Sequence, residues 1–100
     1  MSYTLKLVSA EAVSDTDRAA AEKRYRQALE AALGDASLVA PVWAAVQRLY
    51  AAYGDSPDPA ALTDAEREVL ESWQAAEAAA RTAAFGPNRY LEEAYFDIGV

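Results

Sequence analysis

The sequence contains no cysteine and no histidine. Without cysteine the chain can form no disulfide and has no thiolate nucleophile. Without histidine it lacks the commonest general base and the commonest transition-metal ligand. We therefore expect a protein that is not an enzyme and that holds neither a metal ion nor a cofactor.

Glycine and proline are scarce, with four of each among 100 residues, while 53% of the residues are hydrophobic and 25% are charged. This composition predicts one globular domain spanning residues 1–100 and is unlike that of disordered chains. No apolar run approaches the roughly 20 residues of a membrane span, and the segment Met1–Lys6 lacks a signal-peptide pattern. Together with the bias of arginine over lysine, these features favour a cytoplasmic protein of bacterial type that does not bind membranes.

Basic residues are also few, since 9 of them stand against 16 acidic residues, for a net charge of −7. Residues 1–34 are balanced, with five acids and five bases, whereas residues 35–100 carry eleven acids and four bases. Such a field opposes binding to nucleic-acid phosphates and favours a basic partner. Solubility alone is the alternative explanation, because small domains commonly carry a net charge of about 2–8 in magnitude.

Helix start and stop signals predict three helices near residues 15–33, 41–53 and 64–85. Ser14 can cap the first helix, which Gly34 ends, and Pro41 suits the first position of the second. The third helix begins at a capping box, the pairing of Thr63 with Glu66, and ends before Gly86-Pro87.

Each predicted helix has an apolar stripe at helical spacing. The predicted buried residues are Ala21, Tyr25, Ala28, Leu29, Ala32 and Leu33 in the first helix, Val42, Val46, Leu49 and Tyr53 in the second, and Val69, Trp73, Ala76, Ala80, Ala83 and Ala84 in the third. Past Trp73 the third stripe is almost all alanine, so a partner helix can approach closely and supply bulk from Tyr25, Leu29 and Tyr53.

The two ends of the chain alternate between apolar and other residues. Tyr3, Leu5 and Leu7 predict a short strand, and Phe96, Ile98 and Val100 alternate in the same way after a predicted short helix over 89–94. The expected fold class is therefore mostly α, a three-helix bundle with short extended segments at the N- and C-termini that are able to pair as a small two-stranded sheet.

Residues 62–70, LTDAEREVL, resemble the opening of the helix-turn-helix domain of LuxR-type regulators. That family continues with a turn and a basic recognition helix, which enters the major groove of DNA. Here residues 74–81 continue as alanine-rich helix, and residues 62–100 carry eight acids and three bases. We therefore expect no direct binding of nucleic acid.

Aromatic residues at the edges of these elements are candidates for an interaction surface. Trp43 and Tyr50 lie seven residues apart on the second helix, and Tyr90 and Tyr95 flank the acidic pair Glu92 and Glu93. Tryptophan and tyrosine beside charged residues are typical of protein interfaces. The alternative is that these aromatic side chains are partly buried core at the ends of the bundle.

The sequence leads to three hypotheses about function. The first is a non-catalytic protein-interaction or regulatory module, whose partner is another protein or a second copy in a homodimer. The second is an acidic inhibitor, similar to an antitoxin, that occupies a basic nucleic-acid-binding site on its partner. The third is an enzyme that uses only carboxylates, from Glu92 and Glu93 or from Glu68, Glu71 and Glu77.

Overall fold

The computed structural model describes residues 3–8, 14–85 and 95–99. Within them the chain forms three helices and a two-stranded antiparallel sheet, which confirms the predicted mostly-α class. In chain order the elements are β1 (Thr4–Val8), α1 (Asp15–Leu33), α2 (Val39–Tyr53), α3 (Asp64–Phe85) and β2 (Tyr95–Gly99), with short 3₁₀ turns at Ala36–Leu38 and Pro59–Ala61 before α2 and α3.

The predicted capping residues set the helix ends. The Ser14 hydroxyl accepts the amide of Asp17 at 3.1 Å, and Gly34 ends α1 with a φ of 104°. At the start of α3 the Thr63 hydroxyl accepts the amide of Glu66 at 3.1 Å, while the Thr63 amide donates to the Glu66 carboxylate at 2.8 Å. The predicted bounds of α1 and α3 are therefore confirmed.

The second helix begins at Val39, two residues before the predicted start at Pro41. The 3₁₀ turn Ala36–Leu38 leads directly into it. Pro41 is tolerated at the third position because the first amides of a helix have no intrahelical acceptor.

The core lies mainly between α1 and α3, where the small side chains of Ala76, Ala80 and Ala84 face α1. Tyr25 and Leu29 of α1 are fully buried there, as the sequence predicts. The prediction for Tyr53 is wrong, because this side chain is 41% exposed. The buried residues of α2 lie in its first three turns, so the end of the helix at Tyr53 extends past the core.

Two alanines of the predicted stripes are also exposed, Ala32 in α1 and Ala83 in α3. They belong to the apolar half of each helix by angle. The buried strip is narrower than that half because only one neighbouring helix packs against it closely.

The two terminal strands pair antiparallel, with Leu5 opposite Ile98 and Leu7 opposite Phe96. Leu5, Leu7 and Ile98 are buried, and Phe96 is half-buried, so one face of the sheet packs on the helices. The predicted pairing of the chain ends is confirmed. The predicted helix over 89–94 and the position of Val100 lie outside the described residues.

In the described part of the chain, no single helix combines the length and the hydropathy needed to cross a bilayer. The segments Thr16–Leu33 and Ala36–Tyr53 meet that requirement only when taken as a pair, and the pair is bent by 87°.

Candidate functional site

A cleft lined by aromatic side chains opens where α1, α2, α3 and β2 meet. Its volume is about 300 Å³, and we call it the aromatic cleft. The residues that line it are Tyr25, Trp43, Tyr50, Trp73, Gln74, Glu77, Phe96 and Ile98. Five of these eight carry aromatic rings, and none of the described lining residues is basic.

The spacing of residues within each element brings these side chains to one place. Trp43 and Tyr50 lie two helical turns apart on one side of α2, and Trp73 and Glu77 lie one turn apart on α3. Phe96 and Ile98 are two residues apart in β2 and so share a face of the strand. Because β2 is held in register by β1, the pairing of the chain ends completes the wall of the cleft.

The rings of the cleft pack against one another and so have defined positions. Tyr25 and Phe96 stack with ring centroids 3.8 Å apart, and Trp43 lies against Trp73 at 4.8 Å with a tilt of 35°. Phe85 supports Phe96 from behind at 5.5 Å. Contacts of this kind restrict side-chain rotation, so the cleft is largely formed before anything binds.

Two polar groups have fixed partners at the cleft. The indole nitrogen of Trp43 donates to the carbonyl oxygen of Ile98 at 3.0 Å, and this hydrogen bond connects α2 to β2. Oε1 of Glu77 accepts from Nη2 of Arg81 at 2.8 Å, from Nε of the same residue at 3.0 Å, and from the hydroxyl of Tyr25 at 3.4 Å. Among the described residues, Oε2 of Glu77 receives no hydrogen bond.

The phenol groups at the cleft ionise less readily than free tyrosine. Burial raises the pKa of Tyr25, and the negative charge of Glu77 adds to the increase. Burial also raises the pKa of Tyr50, followed by the negative charges of Asp55 and Glu77. Both hydroxyls are therefore neutral hydrogen-bond donors at physiological pH.

The structure brings together two of the six residues predicted from the sequence as an interaction surface. Trp43 and Tyr50 both line the cleft and both are half-buried. Tyr90, Glu92 and Glu93 lie outside the described residues, as does the side chain of Tyr95, whose backbone begins β2.

Sequence reasoning missed Tyr25 and Trp73 as cleft residues, and it considered Glu77 only as a carboxylate of an enzyme. Tyr25 and Trp73 were expected only in the core, and both are buried, yet each also forms part of the cleft wall. One feature of the sequence could have indicated the cleft. Trp43 lies at the edge of the apolar stripe of the second predicted helix, and the third predicted helix carries the other tryptophan, Trp73.

A second depression, of about 410 Å³, lies between α2 and α3. Its walls are mainly alanine, leucine and valine, with Arg48 and Glu66 as its charged lining residues. The exposed ring of Tyr53 borders it, and the Tyr53 hydroxyl lies 3.5 Å from the carboxylate of Glu66. It has one aromatic ring where the aromatic cleft has five.

Among the described residues, only one of the carboxylates proposed for an enzyme lies at the cleft. Glu77 lines it, whereas Glu68 and Glu71 are exposed on α3, and Glu92 and Glu93 lie outside the described residues. Within residues 3–8, 14–85 and 95–99, no group of three acidic side chains is placed to hold a metal ion.

Comparison of the chain with models of protein families, with curated proteins and with solved structures gives no match in any of the three. The chemistry of the aromatic cleft is therefore the basis for a functional proposal.

Proposed function

We propose that the protein is a non-catalytic interaction module that binds a segment of another protein in the aromatic cleft. The observation that carries this proposal is the preformed cleft of five rings, in which Trp43, Tyr50 and Phe96 are only half-buried. Tryptophan and tyrosine contribute the largest share of binding energy at protein interfaces, particularly where a pocket receives one side chain of the partner.

The size of the cleft supports a side chain of a partner as its occupant. A volume of about 300 Å³ is at the lower end of the range for ligand pockets, roughly 300–1,000 Å³. It therefore suits one large side chain better than an extended cofactor. The stacked rings reduce the conformational entropy lost on binding, so even a single inserted side chain is able to bind.

The composition suggests where this interaction takes place. The absence of cysteine is compatible with a reducing compartment, and together with the bias of arginine over lysine it supports our proposal of the bacterial cytoplasm.

The acidic-inhibitor hypothesis remains the second candidate, and one observation favours it. Five acidic residues on α3 and the segment before it are exposed to solvent, namely Asp55, Asp58, Asp64, Glu68 and Glu71. In that case the charged face, and not the aromatic cleft, would contact a basic groove on the partner. Binding would then depend steeply on salt and would survive loss of the cleft aromatics.

The two tryptophans make the cleft directly observable. They are the only two in the chain, and both line the cleft, so their indole N–H signals in NMR spectra of nitrogen-labelled protein report on occupancy. The probes are acetylated and amidated pentapeptides with one large residue flanked by glycines, each carrying a different central side chain. We expect saturable shifts of both signals by one chemical class of central residue, with dissociation constants of about 1 mM because only one side chain is inserted.

A matched pair of variants tests whether the cleft is responsible. Tyr50→Ala removes a cleft ring, whereas Tyr53→Ala removes an exposed ring three residues away on the same helix. We expect Tyr50→Ala to weaken binding of the best peptide by about tenfold or more, and Tyr53→Ala to change it by less than about twofold. The proposal is wrong if none of the peptides shifts the indole signals, or if both variants bind equally well.

A dilution series distinguishes another protein from a second copy of this chain. We expect the indole signals to be independent of protein concentration. Signals that shift as the protein is concentrated, in parallel with a dimeric mass, would mean that the cleft binds another copy and would overturn the proposal.

A further inference from the structure

We infer that the aromatic cleft selects a cationic side chain, and arginine above all, presented by a basic segment of the partner protein. This inference rests on the proposed function and names the chemistry of the occupant. It follows from three features of the cleft, which are its ring faces, the carboxylate of Glu77 and the charge of the surrounding surface.

The ring faces provide the first argument. The face of an aromatic ring carries partial negative charge and attracts a cation, most strongly for tryptophan and then for tyrosine. Trp43, Tyr50 and Phe96 keep part of their surface exposed to the cleft. A planar guanidinium can stack on such rings while its N–H groups remain free to donate, which a purely aliphatic side chain cannot do.

The carboxylate of Glu77 provides the second argument. All three of its hydrogen bonds within the described residues end on Oε1, so Oε2 has acceptor capacity left for a donor that enters the cleft. The neighbouring Arg81 neutralises part of the charge, but its guanidinium lies toward Phe85, 5.9 Å from that ring centroid. None of the described residues that line the cleft is basic, and the cation beside it, Arg81, is held on Oε1 of Glu77 and leaves Oε2 to the incoming group.

The surrounding charge provides the third argument. The negative charges of Asp55 and Glu77 both raise the pKa of Tyr50, so two carboxylates act on this side of the cleft, and Arg81 offsets part of the charge of Glu77. Residues 35–100, which supply seven of the eight lining residues, carry eleven acids and four bases. A field of this sign raises the rate at which a basic segment associates and opposes an acidic one.

The experiment uses four of the pentapeptides, with arginine, lysine, citrulline or norleucine at the centre, and follows the indole signals of Trp43 and Trp73. Citrulline has nearly the shape of arginine but no charge, so that pair isolates the contribution of the cation. We expect the arginine peptide to bind about 5- to 30-fold more tightly than the citrulline peptide, as a partly desolvated cation–π contact predicts. The lysine peptide should have an affinity between those of the arginine and citrulline peptides, and the norleucine peptide should bind most weakly.

Two charge-removing variants of α3 test the role of Glu77. Glu77→Gln keeps an oxygen that can accept from Arg81 but removes the negative charge at the cleft, while Glu71→Gln removes one charge from an exposed position six residues away. We expect Glu77→Gln to weaken the arginine peptide by about threefold or more and to leave the citrulline peptide within about twofold. Glu71→Gln should leave both peptides within about twofold, because an exposed charge on another face of the helix is screened. Thermal unfolding of each variant confirms that it is folded.

The outcomes separate this inference from the proposed function. If citrulline or norleucine binds as tightly as arginine, the preference for a cation is wrong while the cleft remains a protein-binding site. If none of the four peptides shifts the indole signals, the cation preference is wrong as well, and failure of every other central residue then overturns the proposed function.

Discussion

Trp43 ties the sheet to the helices, and removing its hydrogen bond is the sharpest test of how the cleft is held open. In the structure its indole nitrogen donates to the carbonyl of Ile98 at 3.0 Å, and its ring lies 4.8 Å from that of Trp73. Trp43→Phe keeps an aromatic ring at this position but removes the donor. Among the described residues β2 pairs with β1 alone, and this hydrogen bond connects it to α2.

The expected loss of stability has two sources, the missing hydrogen bond and the smaller ring. A partly buried carbonyl left without its donor costs about 1–3 kcal/mol, and the smaller ring buries roughly 40 Å² less, which adds about 1 kcal/mol. We therefore expect Trp43→Phe to lower the free energy of unfolding by about 2–4 kcal/mol, a large part of the roughly 5–15 kcal/mol of a small domain. The amide of Lys6 in β1 should exchange with solvent faster, because it alternates with the Leu7 amide, which donates to Glu22, and so faces the less firmly held β2.

Urea denaturation followed by far-ultraviolet circular dichroism measures the change in unfolding free energy, and hydrogen exchange by NMR locates it. Tyr50→Phe is the matched control on the same helix, because the Tyr50 hydroxyl has no hydrogen-bond partner among the described residues. That variant should stay within about 0.5 kcal/mol of the unchanged protein. Equal stability of Trp43→Phe and Tyr50→Phe, with unchanged exchange in β1, would refute the role of Trp43 as the link between sheet and helices.

The helix bounds could be predicted because the signals that determine them are local. The Ser14 cap, the Thr63–Glu66 capping box and the positive φ of Gly34 each depend on residues within one turn of the helix end. Where a bound was misplaced, at Val39, a 3₁₀ turn that the sequence did not indicate extends the helix toward the N-terminus.

The pairing of the chain ends illustrates a different limit. Alternation identified both strands, but alternation alone does not state which strands pair across a separation of about ninety residues. The pairing of Leu5 with Ile98 becomes specific only when three helices have brought the two ends to one side of the bundle.

The cleft could be predicted only in part because periodicity identifies the apolar face of a helix but not how far its neighbours extend. Trp43 and Tyr50 were recognised as an edge, yet Tyr25 and Trp73 were read as core when they are both core and wall. The same limit explains Tyr53, which has the angular position of a buried residue but lies beyond the end of the core. How far along a helix the core extends depends on the neighbouring elements of the bundle, so the periodicity of one helix does not determine it.

Two further predictions concern stability. Burial and the hydrogen bond to Glu30 raise the pKa of Tyr3 to about 12, against about 10 in an unfolded chain. The folded protein therefore holds the phenol proton of Tyr3 more tightly than the unfolded chain does. The contribution of this group to the free energy of unfolding is complete below about pH 10 and is lost as the pH rises toward 12. Across this pH range the free energy of unfolding, measured by urea denaturation, should fall less steeply for Tyr3→Phe than for the unchanged protein. Equal slopes for the two proteins would contradict the raised pKa of Tyr3. The second prediction concerns the seam between α1 and α3, where Ala80 is fully buried and Ala79 is exposed. Ala80→Leu places three extra carbons where the helices are in contact, which should destabilise by about 1–3 kcal/mol and lower the melting temperature by about 4–20 °C. Ala79→Leu adds the same carbons at a solvent-exposed position and should change the melting temperature by no more than about 3 °C. If both variants melt at the same temperature, α1 and α3 are not closely packed along the alanine face, and the position of Tyr25 in the cleft wall would have no rigid support.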